Sequence, residues 1–132
     1  MLKYMGMNRH KIRENLVFSV YQHLLLKNDL NSMICNNFEV ESILECDPYL
    51  IELANVINLN EVQYIANISQ YLIKWHFDRL NYVDQAILLV GCAELDLAKI
   101  DKAIIIDEAI NLAKEYCDDD SFKYINGVLD QL

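Results

Sequence analysis

Four basic residues, Arg9, His10, Lys11 and Arg13, crowd one short stretch of this sequence, and Tyr21 follows eight positions after the last of them. Side chains of these types bind phosphate oxygens, lay guanidinium planes against bases and offer an aromatic face for stacking. On a helix, Arg9 and Arg13 are four apart and project from one side, and Tyr21 lies near enough to extend it. The positive end of a helix dipole disfavours cations by about 0.3–1 kcal/mol each. A helix built only for stability would therefore carry acids there. The arrangement suits phosphate contacts beside a stacked, unpaired base. It equally suits a solvated basic tip with Tyr21 at the edge of a core.

Other chemistry is sparse. Cys35, Cys46, Cys92 and Cys117 show no C-x-x-C spacing of a zinc or redox site. Cys92 stands among Leu88, Leu89, Val90 and Leu95 and reads as a small buried apolar residue. Neither Cys92 nor Cys117 has the basic surroundings that activate a thiol. His10, His23 and His76 share no i, i+4 spacing, and no glycine-rich turn suggests a nucleotide cofactor. No catalytic residue, metal ligand or cofactor is therefore expected.

The charge is divided. The net charge is −9, yet residues 1–13 hold Lys3, Arg9, Lys11 and Arg13 and none of the 20 acids. From Asn28 to Ile73 there is no basic residue, while Asp29, Glu39, Glu41, Glu45, Asp47, Glu52 and Glu61 fall in that stretch. A basic head on an acidic body suggests two partners of opposite sign.

These residues need a helical frame. With 132 residues, 54% hydrophobic, Gly 3 and Pro 1, the chain is long and apolar enough for one core and too poor in turn formers for a many-stranded sheet. No apolar run nears the length of a membrane span, and the N-terminus has no signal-peptide pattern, so a cytoplasmic protein with no membrane partner is expected. Ile12, Leu16, Val20 and Leu24 recur every four residues and predict a helix over 8–27 capped by Asn8. A short helix is expected near Phe38–Cys46, and another from Pro48 to about Ile57 after Asp47. Asn60 and Gln63 resemble a capping box opening a helix that ends near Phe77–Leu80. Its expected face includes Val62, Ile65, Leu72 and Ile73. A central helix, Tyr82 to Leu95, precedes one from Lys102 to Tyr116 and a last one after Asp118–Asp120. The expectation is an all-α chain of six or seven helices forming two small packed bundles in one domain, 1–132, with sub-bundles of roughly 8–57 and 60–132. Trp75 is expected to anchor the core between the bundles, Glu108 to pair with a buried donor, and Gly127 to mark close helix packing.

The sequence resembles a known family in RHKIRENLVFSVYQHLL at 9–25, W-x-x-x-R-L-x-x-V-D-x-A-I-L at 75–88, E-L at 94–95 and all of 104–132. In the last block Ile106, Glu108, Ala109, Leu112, Ala113 and Lys114 precede Asp120-Ser121 and then Lys123-Tyr124-Ile125-Asn126-Gly127-Val128-Leu129-Asp130. This order is similar to that of NusB-type transcription antitermination factors. The chain departs from the family pattern at Asp107, where Asn is usual. Tyr116-Cys117 stand where a Gly is usual, and the head is less rich in Arg, which predicts a weaker hold on RNA.

The resemblance implies a non-enzymatic, RNA-binding factor. With a ribosomal protein partner, NusE, it would bind boxA-type RNA of ribosomal RNA transcripts within an RNA polymerase antitermination complex. Arg9, His10, Lys11 and Arg13 would contact phosphates and bases, Tyr21 and Tyr124 would stack, and Lys123 would add a cation beside Tyr124. By family position Asp78, Asp84 and Asp120 would meet the basic protein partner, whose charge complements the acidic body. Their structural alternative is plain: Asp120 caps a helix and Asp84 favours an early helical position. Two rivals stand beside this. One is an acidic helical protein-interaction adaptor without RNA binding. The other is a module of an RNA methyltransferase, for which no cofactor turn is present.

Overall fold

The computed structural model describes residues 8–118 and 120–132; Lys3 of the basic head lies outside them. Six helices follow in order: α1 Arg9–Leu26, α2 Leu30–Phe38, α3 Pro48–Ser69, α4 Tyr82–Leu97, α5 Lys102–Tyr116 and α6 Ser121–Gln131, with 3₁₀ turns at Ile43–Glu45 and Phe77–Arg79. No strand occurs among the described residues.

The architecture turns on α4. Every residue from Asp84 to Glu94 is buried, because α1, α3, α5 and α6 all pack against this helix. α2 forms one group with α1 and α3, and α5 pairs with α6 in a second. The two expected bundles thus share α4, and buried side chains from all six helices join in one cluster. Gly91 of α4 permits the close approach of α6: an added Cβ would stand 3.0 Å from a methyl of Leu129.

Starts and stops follow local chemistry. Asn8 accepts a hydrogen bond from the Lys11 amide at 2.9 Å and opens α1 as expected. Asp47 accepts from the Tyr49 amide, with Pro48 at the first position of α3. Three helices end in the left-handed region without a glycine, at Lys27 (φ 58), Glu39 (φ 56) and Ala98 (φ 54).

The middle of the chain corrects the expectation. The helix near Phe38–Cys46 is instead α2, ending at Phe38, then a 3₁₀ turn closed by a reciprocal Ser42–Glu45 capping box. α3 runs straight through residues 57–60, so the break between sub-bundles expected there is absent. Asn60 turns its amide back to the Val56 carbonyl at 3.0 Å rather than capping, and Gln63 donates to Asn67 at 2.8 Å. Leu53, Ala54, Ile57, Tyr64 and Ile68 form one buried stripe on that helix, and burying the stripe outweighs the weak helix preference of the Asn residues. Val62 lies on the solvent side of α3, 84% exposed, and Ile73, beyond the end of the helix at Ser69, is 93% exposed, so neither is in a core face. Trp75 is 57% exposed and anchors no core. Gly127 faces open space, so close packing does not explain it.

Candidate nucleic-acid interface

The basic tip of α1 is braced from beneath. Arg13 is 4% exposed, and its guanidinium clasps Glu94 of α4 through Nε and Nη2 at 2.5 and 2.9 Å. Tyr49 of α3 donates its hydroxyl to the same carboxylate at 2.7 Å. Burial opposes the Arg13 charge, but the Glu94 bond and charge outweigh it and hold the pKa above its ordinary value. Burial and then the Glu94 bond push the Tyr49 phenol up, so it remains a donor. This corrects the reading of Arg13 as an RNA contact: the side chain belongs to the interior.

Its neighbours remain at the surface. Arg9 is exposed and lays its guanidinium over the Tyr49 ring, 3.8 Å from the centroid. His10 Nδ1 is 3.0 Å from Glu108 of α5, and Arg13 Nη1 is 3.9 Å from the same residue. Glu108 thus meets the buried Arg13 only at ion-pair distance, and its near partner is the exposed His10. Lys11 reaches Glu14 at 3.6 Å.

Past this tip, Glu14, Asn15, Phe18 and Tyr21 of α1 face Val83 and Tyr116 across a groove of about 500 Å³. Tyr116 donates its hydroxyl to Glu14 at 2.8 Å and ties α5 to α1. Tyr21 is half-buried and stacks on the exposed Phe18, centroids 6.3 Å apart.

A second cleft, of about 700 Å³, opens where α4 begins and α6 crosses it. Trp75, Arg79, Asp84, Cys117, Asp120 and Tyr124 are among its walls. Asp84 is 3% exposed, and its Oδ2 accepts hydrogen bonds from the Tyr124 hydroxyl and from Ser121 Oγ, the latter at 3.0 Å. Burial and then the Asp84 carboxylate push both the Tyr124 phenol and the Cys117 thiol up. Burial likewise takes the Cys92 thiol up to about 12, so neither cysteine is an activated nucleophile. Asp84 is therefore no exposed partner contact; it sits under Tyr124, and this corrects the expectation for it. Asp78 in the 3₁₀ turn and Asp120 are exposed, and Lys123 pairs with Asp120 at 3.4 Å across the surface. Asp120 stands at the cap position of α6 without making a side-chain cap bond.

The groove and the cleft are neighbours in sequence as well as in space. Val83 and Tyr116 line the groove, and the next residues, Asp84 and Cys117, line the cleft. Tyr21 lines the groove and Tyr124 the cleft, no residue lines both, and the tip of α1 connects to the groove through Lys11 and Glu14. No direct contact between the tip and Lys123 or Tyr124 is observed. Trp75, Arg79, Tyr49, Phe18 and Tyr116 are site residues that the sequence did not single out as such. The i, i+3 pair Phe18–Tyr21 was a usable signal; the exposure of Trp75 had none.

Among the described residues no helix is long and apolar enough to cross a membrane, and no group of three or more His, Cys, Asp or Glu could hold a metal ion.

Residues 10–132 match the model of the NusB family. The transcription antitermination protein NusB of Campylobacter hominis is 34% identical over 125 residues, covering 94% of this chain and 95% of that protein. The T. maritima NusB structure superposes with a TM-score of 0.84 at 29% identity, over 95% of this chain and 89% of that one. A crystal structure of the antitermination factors NusB and NusE with double-stranded RNA contains a chain of the same fold, TM-score 0.79 at 23% identity, over 93% of both.

Proposed function

The chain belongs to the NusB family, and we propose that it is a cytoplasmic transcription antitermination factor that binds single-stranded boxA-type RNA together with the ribosomal protein NusE. Arg9, His10, Lys11 and Lys123 pair with phosphates, and Tyr21 and Tyr124 stack on bases. Asp78 and Asp120 meet the basic partner, and charge complementarity sets the rate and orientation of docking. The complex then joins the RNA polymerase antitermination complex, and the factor performs no chemistry on the RNA.

One observation carries this reading. Arg9, His10 and Lys11 lie exposed at the tip of α1, whose next residues, Glu14, Asn15, Phe18 and Tyr21, line the groove, and the sequence neighbours of the groove residues Val83 and Tyr116 line the Tyr124 cleft. These surfaces offer both cations and aromatic faces, the two kinds of group an unpaired strand uses. Full-length likeness to antitermination proteins supports the same assignment. The test is co-purification with NusE followed by titration of a labelled boxA-type strand. A stable pair that binds the strand is expected.

A second reading, an adaptor that binds protein but no RNA, draws on the acids around the cleft. Among the described residues lining it, Asp84, Asp118 and Asp120 outnumber the one cation, Arg79. Co-purification without any RNA binding by the pair would favour it.

A further inference from the structure

Building on that RNA-binding reading, we propose that Asp84 is a positioning residue. Buried at the base of the cleft, it holds the Tyr124 ring by the phenol hydroxyl and presents the ring face to a base, touching neither RNA nor the protein partner itself.

The geometry supports this on three counts. First, Asp84 is 3% exposed, and its Oδ1 is shut away from solvent with no hydrogen-bond partner. Although Asp84 stands in the wall of the cleft, that oxygen is closed to a ligand arriving there. Second, both donors to Oδ2, Ser121 Oγ and the Tyr124 hydroxyl, come from α6 and are three residues apart. One carboxylate therefore fixes the rotation of α6 against α4 and the plane of the ring together. Third, the carboxylate is an expensive way to fill this space. A buried oxygen without a partner is unfavourable, and an apolar pair of similar volume would serve stability at least as well. The position of Asp84 in the first turn of α4 offsets part of the cost through the helix dipole. What the acid adds, and an apolar pair cannot, is direction: the hydroxyl bond sets the ring before a base arrives, so less side-chain freedom is lost on stacking.

The test is a double-mutant cycle read by RNA affinity in the presence of NusE. Tyr124→Phe keeps the ring and loses the tether; Asp84→Ala loses the tether from the other side. Each is expected to weaken binding by roughly three- to tenfold, and the double variant no more than either alone. Asp84→Asn keeps an acceptor oxygen without the charge and is expected to stay within about twofold of wild type. It should also let the Tyr124 phenol ionise at a lower pH, seen by absorbance titration. Equal losses for Asp84→Asn and Asp84→Ala would mean that the charge itself touches a ligand and would overturn the proposal. Further loss on adding Asp84→Ala to Tyr124→Phe, or wild-type affinity for Tyr124→Phe, would do the same. Should Asp84→Ala fail to fold, Tyr124→Phe and Asp84→Asn decide the matter. If wild type with NusE binds no RNA, the RNA reading fails and this inference falls with it; if wild type binds and the cycle is additive, this inference fails alone.

Discussion

Arg13 of α1 and Glu94 of α4 form a buried two-point ion pair, with bonds of 2.5 and 2.9 Å, beneath the surface that carries Arg9, His10 and Lys11. The cation that lies deepest among these four is thus the one that ties α1 to α4. Tyr49 joins the pair through its hydroxyl and carries Arg9 on its ring, so the pose of a surface cation depends on a buried carboxylate.

Breaking that pair from one side should be severe. Arg13→Met leaves Glu94 buried and without its cation, and a loss of about 3–5 kcal/mol is expected in urea denaturation. Adding Glu94→Leu removes the orphaned charge and should restore most of the stability. A double variant that recovers little of that loss would mean that the pair itself, and not the orphaned charge, sets the stability.

His23 ties the end of α1 to α3. Its Nδ1 lies 2.6 Å from the Asn28 carbonyl and its Nε2 2.7 Å from Glu61. The Glu61 bond raises its pKa above 6.5, burial works against this, and the Asn28 carbonyl adds to the rise. A raised folded-state pKa stabilises fully below the unfolded value, about 6.5, and that contribution is lost as pH climbs through the folded value. Wild type should therefore lose stability from about pH 6.5 upward relative to His23→Gln. Parallel stability curves for the two proteins across that window would rule the linkage out.

Gly127 sits inside α6 with nothing near its missing Cβ. Gly127→Ala is expected to stabilise the protein by about 1 kcal/mol through helix propensity alone, measured as a rise in Tm. A fall in Tm would show a close approach in the folded molecule after all.

Much of this fold was legible where period and caps agreed. Ile12, Leu16 and Val20 wrote α1 plainly, and the apolar run 86–90 marked α4 as the central helix. The region 28–70 was only partly legible: Asp47-Pro48 marked the start of α3, but its Asn residues look like breaks, and four of them, Asn55, Asn58, Asn60 and Asn67, lie within that one long helix held by tertiary burial. Exposure was harder to read than helicity. Arg13 and Asp84 look like surface charges in a linear pattern, and their burial depends on Glu94, Tyr124 and Ser121, which are 37 or more residues away. Trp75 failed the other way, since apolar character alone does not say which side of a loop faces the core.

The most direct measurement is the anisotropy of a labelled single-stranded boxA-type RNA, titrated with this protein and NusE at several salt concentrations. Binding that weakens with salt is expected from wild type. Arg9→Glu should bind more weakly, with a salt slope shallower by roughly 0.7 for each phosphate no longer neutralised. RNA left unbound by wild type with NusE present, or an Arg9→Glu variant matching wild type in affinity and slope, would contradict an RNA surface built on the tip of α1.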